Sequence, residues 1–109
     1  MQHNSEHRVV LISTDSYENA KHISRILVTE KLAACCTVLQ NVISLFAWES
    51  ALQERYESMI IVKTSKDRLE DLENRVLQIH TDEVPEIVAL PVTEGSESYL
   101  SWINQVLQY

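Results

Sequence analysis

The middle of the chain constrains the fold most. Cys36–Glu49 and Glu54–Thr64 are long stretches rich in β-branched and aromatic residues, parted by a short break at Ser50–Leu52. They read as the two arms of one long β-hairpin, roughly Thr37 to Thr64, although the turn lacks the Asn-Gly or glycine signal of a tight hairpin. Alternation puts Val38, Val42, Phe46 and Trp48 on one face and Leu39, Ile43, Leu45 and Ala47 on the other. Apolar residues on both faces imply that both are covered. A strand of about 12 residues spans about 40 Å, whereas a domain of this length has a radius of gyration near ~13 Å. Such a hairpin overhangs its own core. Its edges and apolar positions need cover from partner subunits, so a closed homo-oligomer is expected.

The flanking segments build a small α+β domain around the hairpin. Arg8–Thr14 is a short apolar run of buried-strand type. Asp15 opens a helix, with Glu18 in capping-box position and Ala20, Ile23, Leu27 and Ala34 at helical spacing. That helix is expected to reach Lys31 or Leu32. Ser65 is a candidate N-cap for a second helix whose stripe is Leu69, Leu72, Val76 and Ile79, with Asp71 and Arg75 able to pair on the wet side. Glu86–Val92 reads as another strand, with Pro91 near an end or edge. Ser96–Leu107 closes the chain as a helix. The order β-α-β-β-α-β-α is a ferredoxin-like sandwich with a long hairpin and an added C-terminal helix. The chain of 109 residues fits one domain, its first seven residues expected as a mobile tail.

Charge and cysteine usage narrow the function. A formal net charge of −7 disfavours nucleic acid, which is held by clustered Lys and Arg, and mildly favours cations. The polar first eight residues contain no apolar signal core, and no run approaches the length of a membrane span. A cytoplasmic protein without membrane or nucleic-acid partners is expected. Cys35 and Cys36 are neighbours and point to opposite faces of a strand, so they read as reduced thiols and not as a chelating pair. Gly95, the single glycine, cannot build a phosphate-cradling loop, and neither G-x-S-x-G nor H-E-x-x-H occurs. A binding role is expected over an enzymatic one. Met1-Gln2-His3 offers an amine, two amides and an imidazole, a set suited to square-planar Cu(II) or Ni(II), which makes His3 a candidate copper ligand. The plain alternative is an incidental tail.

Several segments, in order, resemble the CutA divalent-cation tolerance proteins. They are Glu30-Lys31-Leu32-Ala33-Ala34-Cys35, Ser44-Leu45-Phe46-Ala47-Trp48-Glu49, Glu57, Lys63-Thr64, Val84-Pro85-Glu86-Ile87, Leu90-Pro91-Val92 and Tyr99-Leu100-Ser101-Trp102. The resemblance covers about Val9 to Leu107. It implies a homotrimer similar in architecture to the PII signalling proteins, with long strands paired between subunits, and a role in tolerance to copper and other divalent metals. Some positions depart from the family pattern. Ser50 stands for the usual glycine, Thr81-Asp82 follow His80 where Pro-Tyr is usual, and Ile12 matches a proposed cysteine ligand. Of an adjacent histidine pair only His80 is present.

His80, near Asp82, Glu83 and Glu86, is therefore the candidate metal ligand, with a loop histidine holding a polar partner as the alternative. Trp48, Glu57, Lys63 and Glu86 match positions that cluster between subunits in the family. They are read either as a pocket for a cation or small ligand or as an ion pair and aromatic plug of the trimer. Glu57 and Lys63 share one strand face. The leading function is a metal-response trimer binding copper or another divalent cation at intersubunit clefts. The alternatives are a PII-like module binding a metabolite or partner protein, an enzyme with an interface pocket, and a chiefly structural trimer.

Overall fold

In the computed structural model, which describes residues 1–108, the chain runs β1 (Gln2–His3), β2 (His7–Thr14), α1 (Tyr17–Thr29), β3 (Cys35–Trp48), β4 (Ala51–Ser65), α2 (Leu69–Ile79), β5 (Ile87–Pro91), β6 (Glu94–Gly95) and α3 (Glu97–Leu107). The main sheet has the order β3-β4-β2-β5, and every neighbouring pair is antiparallel. The fold is α+β, as the element order implies. Pro91 sits at the end of the edge strand β5, where a missing N–H does least harm.

Register explains the core. Val10 opposes Val62 and Ile12 opposes Ile60, so these four side chains share one face of the sheet. Ala20, Ile23 and Leu27 of α1 and Leu72 and Val76 of α2 pack onto that same face. Both helices therefore lie on one side. Truncating a fully buried member such as Ile60 to alanine costs about 2–5 kcal/mol.

Helix ends differ in detail from expectation. Ser16, not Asp15, caps α1, accepting from the Asn19 N–H, and Asp15 instead accepts from the Asn19 side chain. The helix stops at Thr29 because Lys31 turns to φ 59°. A short 3-10 turn, Lys66–Arg68, precedes α2, and Ser65 donates to Asp67 without capping a backbone N–H. Arg75 pairs with Glu30 at 2.9 Å across the two helices, not with Asp71. Its guanidinium beside Glu30 holds that carboxyl below its usual range.

The hairpin arms are 14 and 15 residues long and stretch the molecule to 44 × 26 × 23 Å. The overhang inferred from strand length is present. Its turn is tighter than Ser50–Leu52: Trp48 opposes Ala51, leaving Glu49 and Ser50 as a two-residue loop at φ 50° and 67°. Positive φ at both positions is the type I′ pattern that matches strand twist, here made without glycine.

A β-bulge corrects the expected facing of β3. Leu39 opposes Met59 and Val42 opposes Glu57, so Gln40 and Asn41 together face Ser58, with Asn41 at φ 61°. The extra residue inverts the alternation beyond it. Val38 turns toward the helices, whereas Val42 shares the opposite face with Glu57, Phe46 and Trp48.

That opposite face stays open along much of the sheet. Leu39, Phe46, Trp48, Val88 and Leu90 are 37–47% exposed there. The covered part is the end near α3, where Ile103 and Leu107 pack on Ala34 just before β3 and α3 also meets β4 and the start of β2. Ala34 thus serves the α3 contact and lies outside the α1 stripe in which its spacing placed it.

The first seven residues, expected as a mobile tail, pair with the segment between β5 and α3. Gln2 and His3 pair with Gly95 and Glu94, and the Asn4 N–H donates to Thr93 at 2.8 Å. His7 is buried between Asn4 Oδ1 at 2.7 Å and Asn104 Oδ1 at 2.9 Å, joining the first segment to α3.

Candidate functional site

A groove of about 660 Å³ opens where the far half of the hairpin meets the α2–β5 loop. β4 presents Gln53, Arg55 and Glu57 to it, β3 presents Ser44, Phe46 and Trp48, and the loop adds Asp82, Glu83, Val84 and Glu86. The strand contributions follow from the bulge. Ser44 opposes Arg55 and Phe46 opposes Gln53, so these side chains stand on the same open face as Glu57.

One guanidinium organises the acidic wall. Arg55 donates to both carboxylate oxygens of Asp82, at 3.0 and 3.1 Å, and its Nε lies 3.6 Å from Glu57. The hydrogen bonds that Asp82 accepts raise the Arg55 guanidinium further above its ordinary range. This two-point fork ties loop to hairpin. Glu57 is the most enclosed acid, its side chain 6% exposed. Glu83 and Glu86 stand exposed at the rim.

Three of the four pocket residues read from sequence meet in this groove: Trp48, Glu57 and Glu86. Lys63 does not. It shares the Glu57 face of β4 but lies six residues along it, about 20 Å away, and donates to Thr37 beside Cys35. Arg55 and Asp82 were missed as a pair. The legible signal was Arg55-x-Glu57, two charges on one strand face, but their acidic partner comes from a distant loop.

His80 stands at the back of the loop. Its Nε2–H donates to the Ser13 carbonyl at 2.7 Å, and its Nδ1 accepts from the Asp82 N–H at 2.9 Å. Ser13 lies one residue past the end of the β2–β5 ladder, which stops at Ile12–Ile87. The ring thus brackets a strand end to the residue that Arg55 grips. Both ring nitrogens are engaged in this arrangement, and His80 does not line the groove. Among the described residues, no group of three or more His, Cys, Asp or Glu side chains is close enough to hold one ion. His3 lies in the β1–β6 ladder, so square-planar capture of copper by Met1-Gln2-His3 requires that ladder to open.

The thiols are free, and neither lines the groove. Burial pushes the Cys36 thiol up to about 11, which leaves it protonated and a poor nucleophile.

Fold and groove together define a small α+β protein with an open apolar sheet face, an overhanging hairpin and a carboxylate-walled cleft beside both. Residues 8–106 match the CutA1 divalent ion tolerance protein family, and the chain belongs to that family. It is 40% identical to the divalent-cation tolerance protein CutA of Thermus thermophilus over 97 residues, 89% of this chain and 94% of that one. Identity to the divalent-cation tolerance protein CutA of Yersinia pestis is 36% over 99 residues, 91% and 83% of the two chains. The crystal structure of CutA from Xylella fastidiosa superposes with a TM-score of 0.92 at 30% identity, covering 94% of this chain and 99% of that one.

Proposed function

We propose that the chain acts in divalent-cation tolerance as a closed homotrimer of PII-like architecture, with the acidic groove as its cation site at the subunit boundary. The strand order and the two crossover helices support the reading as a ferredoxin-like sandwich. The observation that carries the reading is the adjacency of two features. An apolar sheet face bearing Leu39, Phe46, Trp48, Val88 and Leu90 lies open, and the groove holding Glu57, Asp82, Glu83 and Glu86 borders it. A face of that kind supports burial against further copies. The groove then becomes a cleft between subunits, and ligands from a neighbour can complete a coordination sphere that one chain leaves short.

Within this reading Glu57 and Glu86 supply oxygens to Cu(II), Zn(II) or another divalent cation, and His80 holds Asp82 in place without ligating. The cytoplasmic setting belongs to the same proposal, supported by two free thiols. Calorimetric titration of the assembled protein with Cu(II) and Zn(II), repeated on Glu57→Gln, tests the site. Binding tighter than about millimolar that weakens in the variant supports it. No binding at that level overturns it.

A further inference from the structure

We propose that the groove also takes an organic ammonium ion, a protonated primary amine on an apolar body, with its head at Glu57 and its body on Trp48 and Phe46. The inference rests on the reading of the groove as the ligand site and extends it from metals to a second chemical class. Its starting point is Glu57. The side chain is 94% buried, yet among the described residues nothing donates a hydrogen bond to either carboxylate oxygen. Arg55 is the nearest cation, with Nε at 3.6 Å, beyond the 2.7–2.9 Å of a charge-assisted bond. The terminal nitrogens of that guanidinium are committed to Asp82. The stem is enclosed while the oxygens open onto the groove with no protein donor, which leaves them free to accept N–H groups from a ligand.

The walls choose the kind of cation. Four carboxylates against one guanidinium line the groove and favour positive charge. They are spread along it instead of converging three at a time, which suits an extended cation better than a bare ion held by one chain. Between them stand Trp48, Phe46 and Val84, apolar surface with no use to a hydrated metal. An ammonium gives three donors to oxygens, the indole face attracts positive charge, and the rings bury a hydrocarbon chain. A volume of about 660 Å³ falls within the range that holds small organic ligands.

The test is titration of the full chain with phenethylammonium, the neutral phenethyl alcohol and Zn(II), read by calorimetry and by Trp48 fluorescence in a Trp102→Phe background. Millimolar or tighter binding of the amine, at least about tenfold weaker binding of the alcohol, and a similar loss in Glu57→Gln are expected. The variant's assembly mass and circular dichroism, unchanged, show that it folds. Equal binding of amine and alcohol, or no effect of Glu57→Gln on the amine, overturns the inference. Zn(II) binding that depends on Glu57 with no amine binding overturns it while leaving the metal reading in place. Amine binding without any metal binding supports the inference and removes the metal reading.

Discussion

Replacing His80 with alanine separates a positioning residue from a metal ligand. The change removes a donor 2.7 Å from the Ser13 carbonyl and an acceptor 2.9 Å from the Asp82 N–H. An ordinary hydrogen bond contributes about 1 kcal/mol net, and a buried partner left unpaired costs about 1–3 kcal/mol. Ser13 is buried and Asp82 half-buried, so water takes over part of the loss at Asp82 only. The sum is about 2 kcal/mol. With a urea slope of about 1–2 kcal/mol per molar, the unfolding midpoint falls by about 1–2 M, measured at fixed chain concentration because assembly adds to stability. Hydrogen exchange at the Asp82 amide accelerates in the same variant. Zn(II) affinity, measured in parallel, stays the same. An unchanged midpoint together with about tenfold weaker Zn(II) binding refutes the positioning role and restores His80 as a ligand.

Three further perturbations follow from the same geometry. Burial raises the Cys36 thiol from 9.0 to about 11, so folding favours the protonated form; the associated stability, on the order of 2–3 kcal/mol, is whole below about pH 9 and lost as pH rises through about 11, and urea midpoints of Cys36→Ala lack this alkaline decline. Ser50→Gly relieves a left-handed residue at φ 67°; the gain of about 1 kcal/mol, offset in part by a freer unfolded chain, leaves a net stabilisation of about 0.5 kcal/mol in urea denaturation. Asn41→Val forces a β-branched residue to φ 61° at the bulge and costs about 1–2 kcal/mol by the same assay, with weakened groove binding because the bulge sets which side chains face Glu57.

The elements were legible where periodicity and length speak alone. The helix stripes Ala20-Ile23-Leu27 and Leu72-Val76 are both buried, and the hairpin's reach against domain size foretold the 44 Å long axis. Facing on β3 was not legible, because parity carries no sign of an inserted residue. Asn41 tolerates the left-handed region, but nothing around it announces that Gln40 and Asn41 share one partner. The turn was misplaced for a related reason: Glu49-Ser50 lacks glycine, and pairing beyond the loop imposes its conformation. At the site, Trp48, Glu57 and Glu86 came from matching positions and do meet, whereas Lys63 matched equally well and lies elsewhere. The partners of His80 were not legible, since one of them, the Ser13 carbonyl, lies 67 residues away in the chain. The first strand escaped notice because two-residue ladders leave no pattern to read.

The claim on which the rest depends is that the open sheet face and overhanging hairpin are buried between copies. Native mass spectrometry of the full chain at micromolar concentration tests it directly. Three chains of 12.6 kDa, about 38 kDa in one closed species, is the predicted result; a stable monomer at 12.6 kDa contradicts the account.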